Sequence, residues 1–212
     1  MSATLTQIVC TLNGILVGFL AAGLPWWHQR RQVHRWRHLA THDDITGLPN
    51  RRAMLTALRE ATRRGHQVGF ILLDLDHFKA INDQLGHETG NDVLHAVGDR
   101  LTSLPPPVRL AARLSGDEFA ILTDADHVAT CAHQAWQAIC AHRIRLDTAD
   151  VAVAASVGYT ITRLGLTPRQ ILREADWAMY AAKSSGTAIA NAATTDPDPT
   201  ERGRCRDRRH PG

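Results

Sequence analysis

The sequence has no cysteine pair at metal-ligand spacing and no H-E-x-x-H. Its 4 Cys among 212 residues are Cys10 in an apolar stretch, Cys131 and Cys140 in one helical pattern, and Cys205 in a polar tail. That dispersal excludes a C-x-x-C centre and a disulfide scaffold, and reads as free thiols in a reducing compartment. The 12 His form no metal constellation either. There is no internal repeat. A regular β-α-β-α alternation is also missing, which argues against a doubly wound parallel sheet. The formal net charge is only +3. The excess Arg lies at the two ends, at Arg30, Arg31, Arg35 and Arg37 and at Arg202, Arg204, Arg206, Arg208 and Arg209. No nucleic-acid partner is expected from that balance.

Hydrophobic residues make up 44% of the chain and charged residues 21%, which suits a domain with a real core. Leu5 to Leu24 contains no charged residue and, at about 20 residues, is long enough to cross a hydrocarbon core. Pro25, Trp26, Trp27 and clustered Arg follow it, the pattern of a helix leaving a membrane into the cytoplasm. No Lys or Arg precedes it, as a secretory signal would require. Residues 1–25 are therefore expected to be an uncleaved single-pass anchor in the cell membrane, a buried or amphipathic helix being the alternative. Residues 26–40 form a basic connector, 41–190 a folded domain, and 191–212 a Pro-, Asp- and Arg-rich tail expected to be disordered.

Within the domain the patterns predict a helix from Asn50 to Arg64 with Asn50 as N-cap, and a buried strand from Val68 to Leu75. Helices follow at His77–Leu85 and Gly90–Leu104, the second ended by Pro105-Pro106-Pro107. Arg109–Leu114 and Glu118–Leu122 flank Ser115-Gly116-Asp117 as a hairpin. A helix at His127–His142, a strand at Val151–Thr160 and a helix at Pro168–Ser185 complete the reading. The fold class is α+β, a mostly antiparallel sheet with flanking helices.

Two acidic sites stand apart from this core: Asp74-Leu75-Asp76 ends an apolar strand, and Asp117-Glu118 sits at a hairpin tip. Unpaired charges are costly to bury, so such carboxylates do not serve the core. If they meet in space they make a hard-oxygen site for Mg²⁺ with a bound phosphate. Asp76 could equally cap the helix that follows it.

Five segments in order carry a resemblance. Asp43-Asp44-Ile45-Thr46-Gly47-Leu48-Pro49-Asn50-Arg51-Arg52 resembles D-x-L-T-G-L-x-N-R. Asp74-Leu75-Asp76-His77-Phe78-Lys79-Ala80-Ile81-Asn82-Asp83 with Gly86-His87 resembles D-x-D-x-F-K-x-x-N-D…G-H. Arg113-Leu114-Ser115-Gly116-Asp117-Glu118-Phe119 resembles R-x-G-G-D-E-F. Ser156-Val157-Gly158 and Ala175-Asp176-Trp177-Ala178-Met179-Tyr180-Ala181-Ala182-Lys183 resemble S-x-G and A-D-x-A-M-Y-x-A-K. These are motifs of the GGDEF domains of diguanylate cyclases.

The resemblance implies a palm-like, ferredoxin-type sheet and condensation of two GTP into cyclic di-GMP with release of pyrophosphate, in a homodimer. It implies that Asp74 and Asp117, with the Leu75 carbonyl, hold Mg²⁺ or Mn²⁺, and that Glu118 is a further ligand or handles a proton. Gly116 lets the nucleotide come close to the backbone. Phe78, Lys79 and Lys183 lie at the triphosphate, and Asn82 and Asn91 at guanine. Asp43 and Arg51 are expected to pair structurally, and His87 to be structural.

Four positions depart from the family pattern. Ser115 replaces a Gly and would be strained only at positive φ. Asn91 replaces an Asp and offers guanine one acceptor atom. Thr187 stands where an Arg usually meets phosphate, a loss on the order of 1.5–3 kcal/mol. Pro106 to Arg109 replaces the R-x-x-D of product inhibition, so inhibition there is not expected. A degenerate domain that binds GTP or a protein partner without turnover is the alternative function.

Overall fold

The apolar run after Gln67 becomes the central strand of a five-stranded sheet. The computed structural model describes residues 40–147 and 149–195, together with Gln7. The expected anchor (apart from Gln7), the connector as far as residue 39 and the tail from residue 196 lie outside the described residues. Among the described residues no helix is long and apolar enough to cross a membrane.

The elements in chain order are α1 (Arg51–Arg63), β1 (Val68–Asp76), α2 (Phe78–Leu85), α3 (His87–Thr102), β2 (Val108–Ser115), β3 (Glu118–Asp124), α4 (Val128–Cys140), β4 (Ile144–Arg145), β5 (Asp150–Val151), β6 (Ala154–Ile161), α5 (Pro168–Ser185) and β7 (Ile189–Asn191). The sheet order is β2-β3-β1-β6-β7, with β4 and β5 forming a separate small hairpin. β1 runs antiparallel to both β3 and β6, and β7 joins β6 in parallel. This is the expected α+β palm with a mostly antiparallel sheet.

Alternation along β1 divides the core in two. Ile71, Leu73 and Leu75 pack with Val93, Val97, Ala135 and Ile139 of α3 and α4. Phe70 and Leu72 pack with Met54 and Leu58 of α1 and with Ile171 and Met179 of α5. The same period puts Asp74 and Asp76 on the α1/α5 face, at the end of a strand whose first six residues are buried.

Side-chain capping explains where α1 and α5 begin. The Asn50 side chain accepts from the Ala53 N–H, as expected. Thr167 and Gln170 form a capping box at α5, with Pro168 in the first turn. The Arg100 guanidinium closes the other end of α4, donating to the carbonyls of Ile139 (2.7 Å), His142 (2.9 Å) and Arg143 (3.1 Å).

Several boundaries differ from the sequence reading. α2 starts at Phe78, because His77 adopts a left-handed conformation (φ 57°). Asp76 does not cap it; its Oδ1 accepts instead from Ser156 Oγ at 2.9 Å. α3 starts at His87, three residues earlier than expected, since Gly86 (φ 87°) alone separates it from α2. Gly90 lies inside α3, where a Cβ would fall 1.8 Å from Asn82 Oδ1. The expected strand from Val151 is broken, and its long part begins at Ala154. β7 was not expected at all. It arises after Gly186 (φ 73°) turns the chain out of α5, so Asn191 ends a strand and residues 192–194 form a turn.

Gly158 marks where β6 passes beneath α5. A Cβ there would lie 2.1 Å from Met179 N and 2.2 Å from the Ala175 carbonyl oxygen, both backbone atoms. Gly158→Ala must push α5 off the sheet. We expect a loss of about 3 kcal/mol or more in urea unfolding, at or above the upper end of overpacking costs.

Candidate active site

Pairing of β1 with β3 brings the two acidic segments together. Asp74 sits directly opposite Glu118 in the ladder. One step further on, the Leu75 N–H donates to the Asp117 carbonyl at 3.2 Å. β3 follows β2 through the two-residue tip Gly116-Asp117, with Ser115 paired to Glu118. Gly116 has φ 46°, and nothing lies within 4 Å of where its Cβ would be. The tip is therefore open around Gly116, and glycine suits its left-handed backbone. Ser115 is not strained, since His77 is the one non-glycine among the described residues with positive φ. Its Oγ donates to Glu118 Oε2 at 2.9 Å, which helps fix that carboxylate.

Lys183, near the end of α5, completes the cluster. Its Nζ lies 2.5 Å from Asp74 Oδ1 and 3.5 Å from Asp76 Oδ1. Burial pushes the Asp74 carboxyl up. The Lys183 hydrogen bond and charge pull it down, and Glu118 and Asp76 push it up again, with a net rise. Asp117 is also raised, by burial first and then by the charge of Asp74. Burial alone would lower Lys183, but the Asp74 bond and the two neighbouring carboxylates outweigh it and raise the ammonium.

The donor set is one of hard oxygens under like-charge strain, already carrying a cation as partner. That chemistry fits Mg²⁺ or Mn²⁺. No three His, Cys, Asp or Glu among the described residues form a ready-made metal cage. Mg²⁺ commonly takes only one or two carboxylates and draws its other ligands from water and substrate phosphates, so a partial set is what such an ion requires.

The other expected site residues lie along α2 and α3. Phe78 is buried at the start of α2 and belongs to the core, so only its backbone is available to a ligand. Lys79 and Asn91 are exposed, and Asn82 is half-buried with its Oδ1 against Gly90. This places Asn82 and Asn91 beside the α2–α3 contact. His87 opens α3 at the surface. Thr187 Oγ1 shares a hydrogen bond with Ser185 Oγ at 2.9 Å.

Asp43 does not pair with Arg51. Its Oδ1 accepts from Arg113 Nη1 at 2.8 Å and from the Thr46 N–H and Oγ1, each at 2.9 Å. Arg113 is 8% exposed and also donates from Nε and Nη2 to the Gly116 carbonyl, at 2.9 and 2.7 Å. Burial raises the Asp43 carboxyl, but the Arg113 bond, the Thr46 donors and the guanidinium charge more than reverse this and hold it low. Spacing could not find this pair, because 70 residues separate its members. Arg113 thus ties the leading segment to the carbonyl of the hairpin tip.

A groove of about 1880 Å³ runs between α1 and α5, and of the acidic cluster only Glu118 lines it. It is an open groove flanked by Arg59, Arg163, Arg169 and Arg173.

The family described as "Diguanylate cyclase, GGDEF domain" matches residues 40–188. The chain is similar to the diguanylate cyclase TpbB of Pseudomonas aeruginosa, at 37% identity over 76% of this chain and 39% of that protein. It is also similar to the cyclic di-GMP phosphodiesterase NbdA of the same organism, at 35% identity over 82% of this chain and 26% of that one. The crystal structure of the coiled coil and GGDEF domain of DgcB from Caulobacter crescentus, in complex with c-di-GMP, superposes with a TM-score of 0.73. There the identity is 26%, covering 84% of this chain and 98% of that one. The chain spans well under half the length of the curated relatives it matches.

Two outcomes follow from the site. Asp117→Asn removes a carboxylate whose pKa the fold raises. Such a group favours folding fully only below its unfolded value of 3.8, and that contribution is lost as pH rises through the higher folded value. The variant should therefore melt a few degrees above wild type at pH 7 without metal, with the gain fading as pH falls toward 4. Arg113→Ala leaves Asp43 and the Gly116 carbonyl without their partner. It should cost about 3 kcal/mol in urea unfolding, in the range for breaking a buried pair.

Proposed function

The chain belongs to the diguanylate cyclase GGDEF-domain family, and from that premise we propose that it condenses two GTP into cyclic di-GMP with release of pyrophosphate. The carrying observation is the meeting of Asp74, Asp117 and Glu118 at one strand end with Lys183 against them. Asp74, Asp117 and the Leu75 carbonyl would hold Mg²⁺ or Mn²⁺, with Glu118 as a further ligand or proton acceptor. When bound, the ion polarises the α-phosphate and acidifies the attacking 3′-hydroxyl.

The protein's own groups do the rest. The tip at Gly116 admits the triphosphate against backbone, and the start of α2 offers backbone N–H groups at Phe78 and the ammonium of Lys79. Lys183 supplies a second positive charge to the phosphates. Asn82 and Asn91 present hydrogen-bonding groups to the guanine edge; Asn91 keeps one acceptor and can turn its amide N–H₂ toward O6. Each domain carries one GTP, so the reaction needs two domains face to face, and a homodimer is the working unit. Residues 1–25 would anchor it to the membrane, with the catalytic domain in the cytoplasm.

Arg109 occupies the last position of the inhibitory motif, and it is paired with Asp124 across the hairpin. Product inhibition through this site is therefore absent from the proposal.

Thr187 favours a second reading. Its hydroxyl bonds to Ser185 where a phosphate-binding cation would stand, so a domain that binds GTP without turnover is the alternative. NbdA, similar over most of this chain, is named a phosphodiesterase.

One assay separates the two. Purified protein with GTP and Mg²⁺ should form cyclic di-GMP, and Asp117→Ala or Asp74→Ala should lower the rate at least 100-fold. GTP binding by dimeric wild-type protein with no cyclic product would establish the second reading instead.

A further inference from the structure

Lys183 stands three residues before Gly186, and its side chain is 46% exposed. Asp74 is fixed on the central strand and only 17% exposed. Asp74, Asp76, Asp117 and Glu118 gather at this sheet end, and the lysine ammonium touches the first two. At 2.5 Å, Nζ occupies one face of Asp74 Oδ1 and places a positive charge against the whole carboxylate. A divalent ion binds a carboxylate oxygen at about 2.0–2.1 Å. Two cations at contact distance on one oxygen repel strongly in a half-buried site.

We propose that Lys183 is a resident counter-ion of the carboxylate cluster, that a divalent ion bound at Asp74 displaces it, and that the nucleotide triphosphate then receives the freed ammonium. Lys183 then weakens metal loading of the nucleotide-free protein, and bound nucleotide, by taking up the ammonium, favours entry of the ion. The proposal rests on Asp74 and Asp117 being metal ligands.

The geometry supplies both ends of the movement. The four-carbon stem can swing without repacking, because nearly half of it faces solvent. Asp76 is held by Ser156 Oγ at 2.9 Å and offers the ammonium a second carboxylate 3.5 Å away. Thr187 brings no charge to the segment after α5, so Lys183 is the cation that Lys183-Ser184-Ser185-Gly186-Thr187 can present to phosphates.

The test is Mn²⁺ titration of the full chain without nucleotide, free Mn²⁺ being read by electron paramagnetic resonance. Lys183→Met should bind Mn²⁺ at least tenfold tighter than wild type, and Lys183→Arg should stay within about threefold of it. An affinity in Lys183→Met equal to or weaker than wild type overturns the inference while leaving the metal reading intact. Failure of every form to bind Mn²⁺ overturns both. If Lys183→Met does not fold, wild type decides the matter. Saturating Mg²⁺ should move the NMR signals of the Lys183 ε-methylene toward those of a solvent-exposed lysine. Unchanged signals at metal saturation overturn the inference.

Discussion

Everything at the candidate site depends on a concentration of like charge at the end of the central strand. Four carboxylates converge there because β1 keeps a strict two-residue alternation and pairs antiparallel with β3. Left alone, such a cluster opposes folding: burial first, with the neighbouring carboxylates adding to it, pushes Asp74 and Asp117 up. The fold tolerates it because the rest of β1 is buried among two apolar layers and because α5 delivers one ammonium. A site that strains the protein when empty gains most from binding a cation, and this is the physical link between the stability of the domain and its proposed chemistry.

The supports of the site are drawn from distant parts of the chain. α5 reaches the cluster only because Gly158 lets it lie against β6, and Gly186 turns the chain into a fifth strand that holds the end of the helix in place. Gly90 allows Asn82 to lie flat against α3, which shapes the surface where Asn91 is displayed. Small residues here do positional work that larger, apolar ones could not.

Much of this was legible in the sequence. The Asn50 cap, the buried strand ending in acid, the hairpin and the Pro-initiated helix were all local signals, and each reappears within a few residues of its expected place. What was not legible was non-local or masked by locally permissive residues. β7 is three residues of weak pattern whose strand character comes from pairing with β6. The start of α3 was placed at Gly90, three residues late, because the single residue Gly86 that separates it from α2 leaves no loop to read. Asp43 was assigned to nearby Arg51, whereas its partner Arg113 comes from β2, 70 residues on. The contact between Lys183 and Asp74 spans 109 residues and has no sequence signature as a pair.

Arg113 has a mechanical meaning as well as a stabilising one. One guanidinium grips the Asp43 carboxylate on one side and the Gly116 carbonyl on the other. Around Asp43 the leading segment is stiffened by its own bonds, Asp43 N–H to Leu48 and Gly47 N–H to Asp43, at 2.8 and 2.9 Å. The start of the domain and the loop beside Asp117 are therefore joined through a single charged side chain. Two hydrogen-bond steps, Asp43 to Arg113 and Arg113 to the Gly116 carbonyl, are the shortest polar route from the leading segment to the hairpin tip.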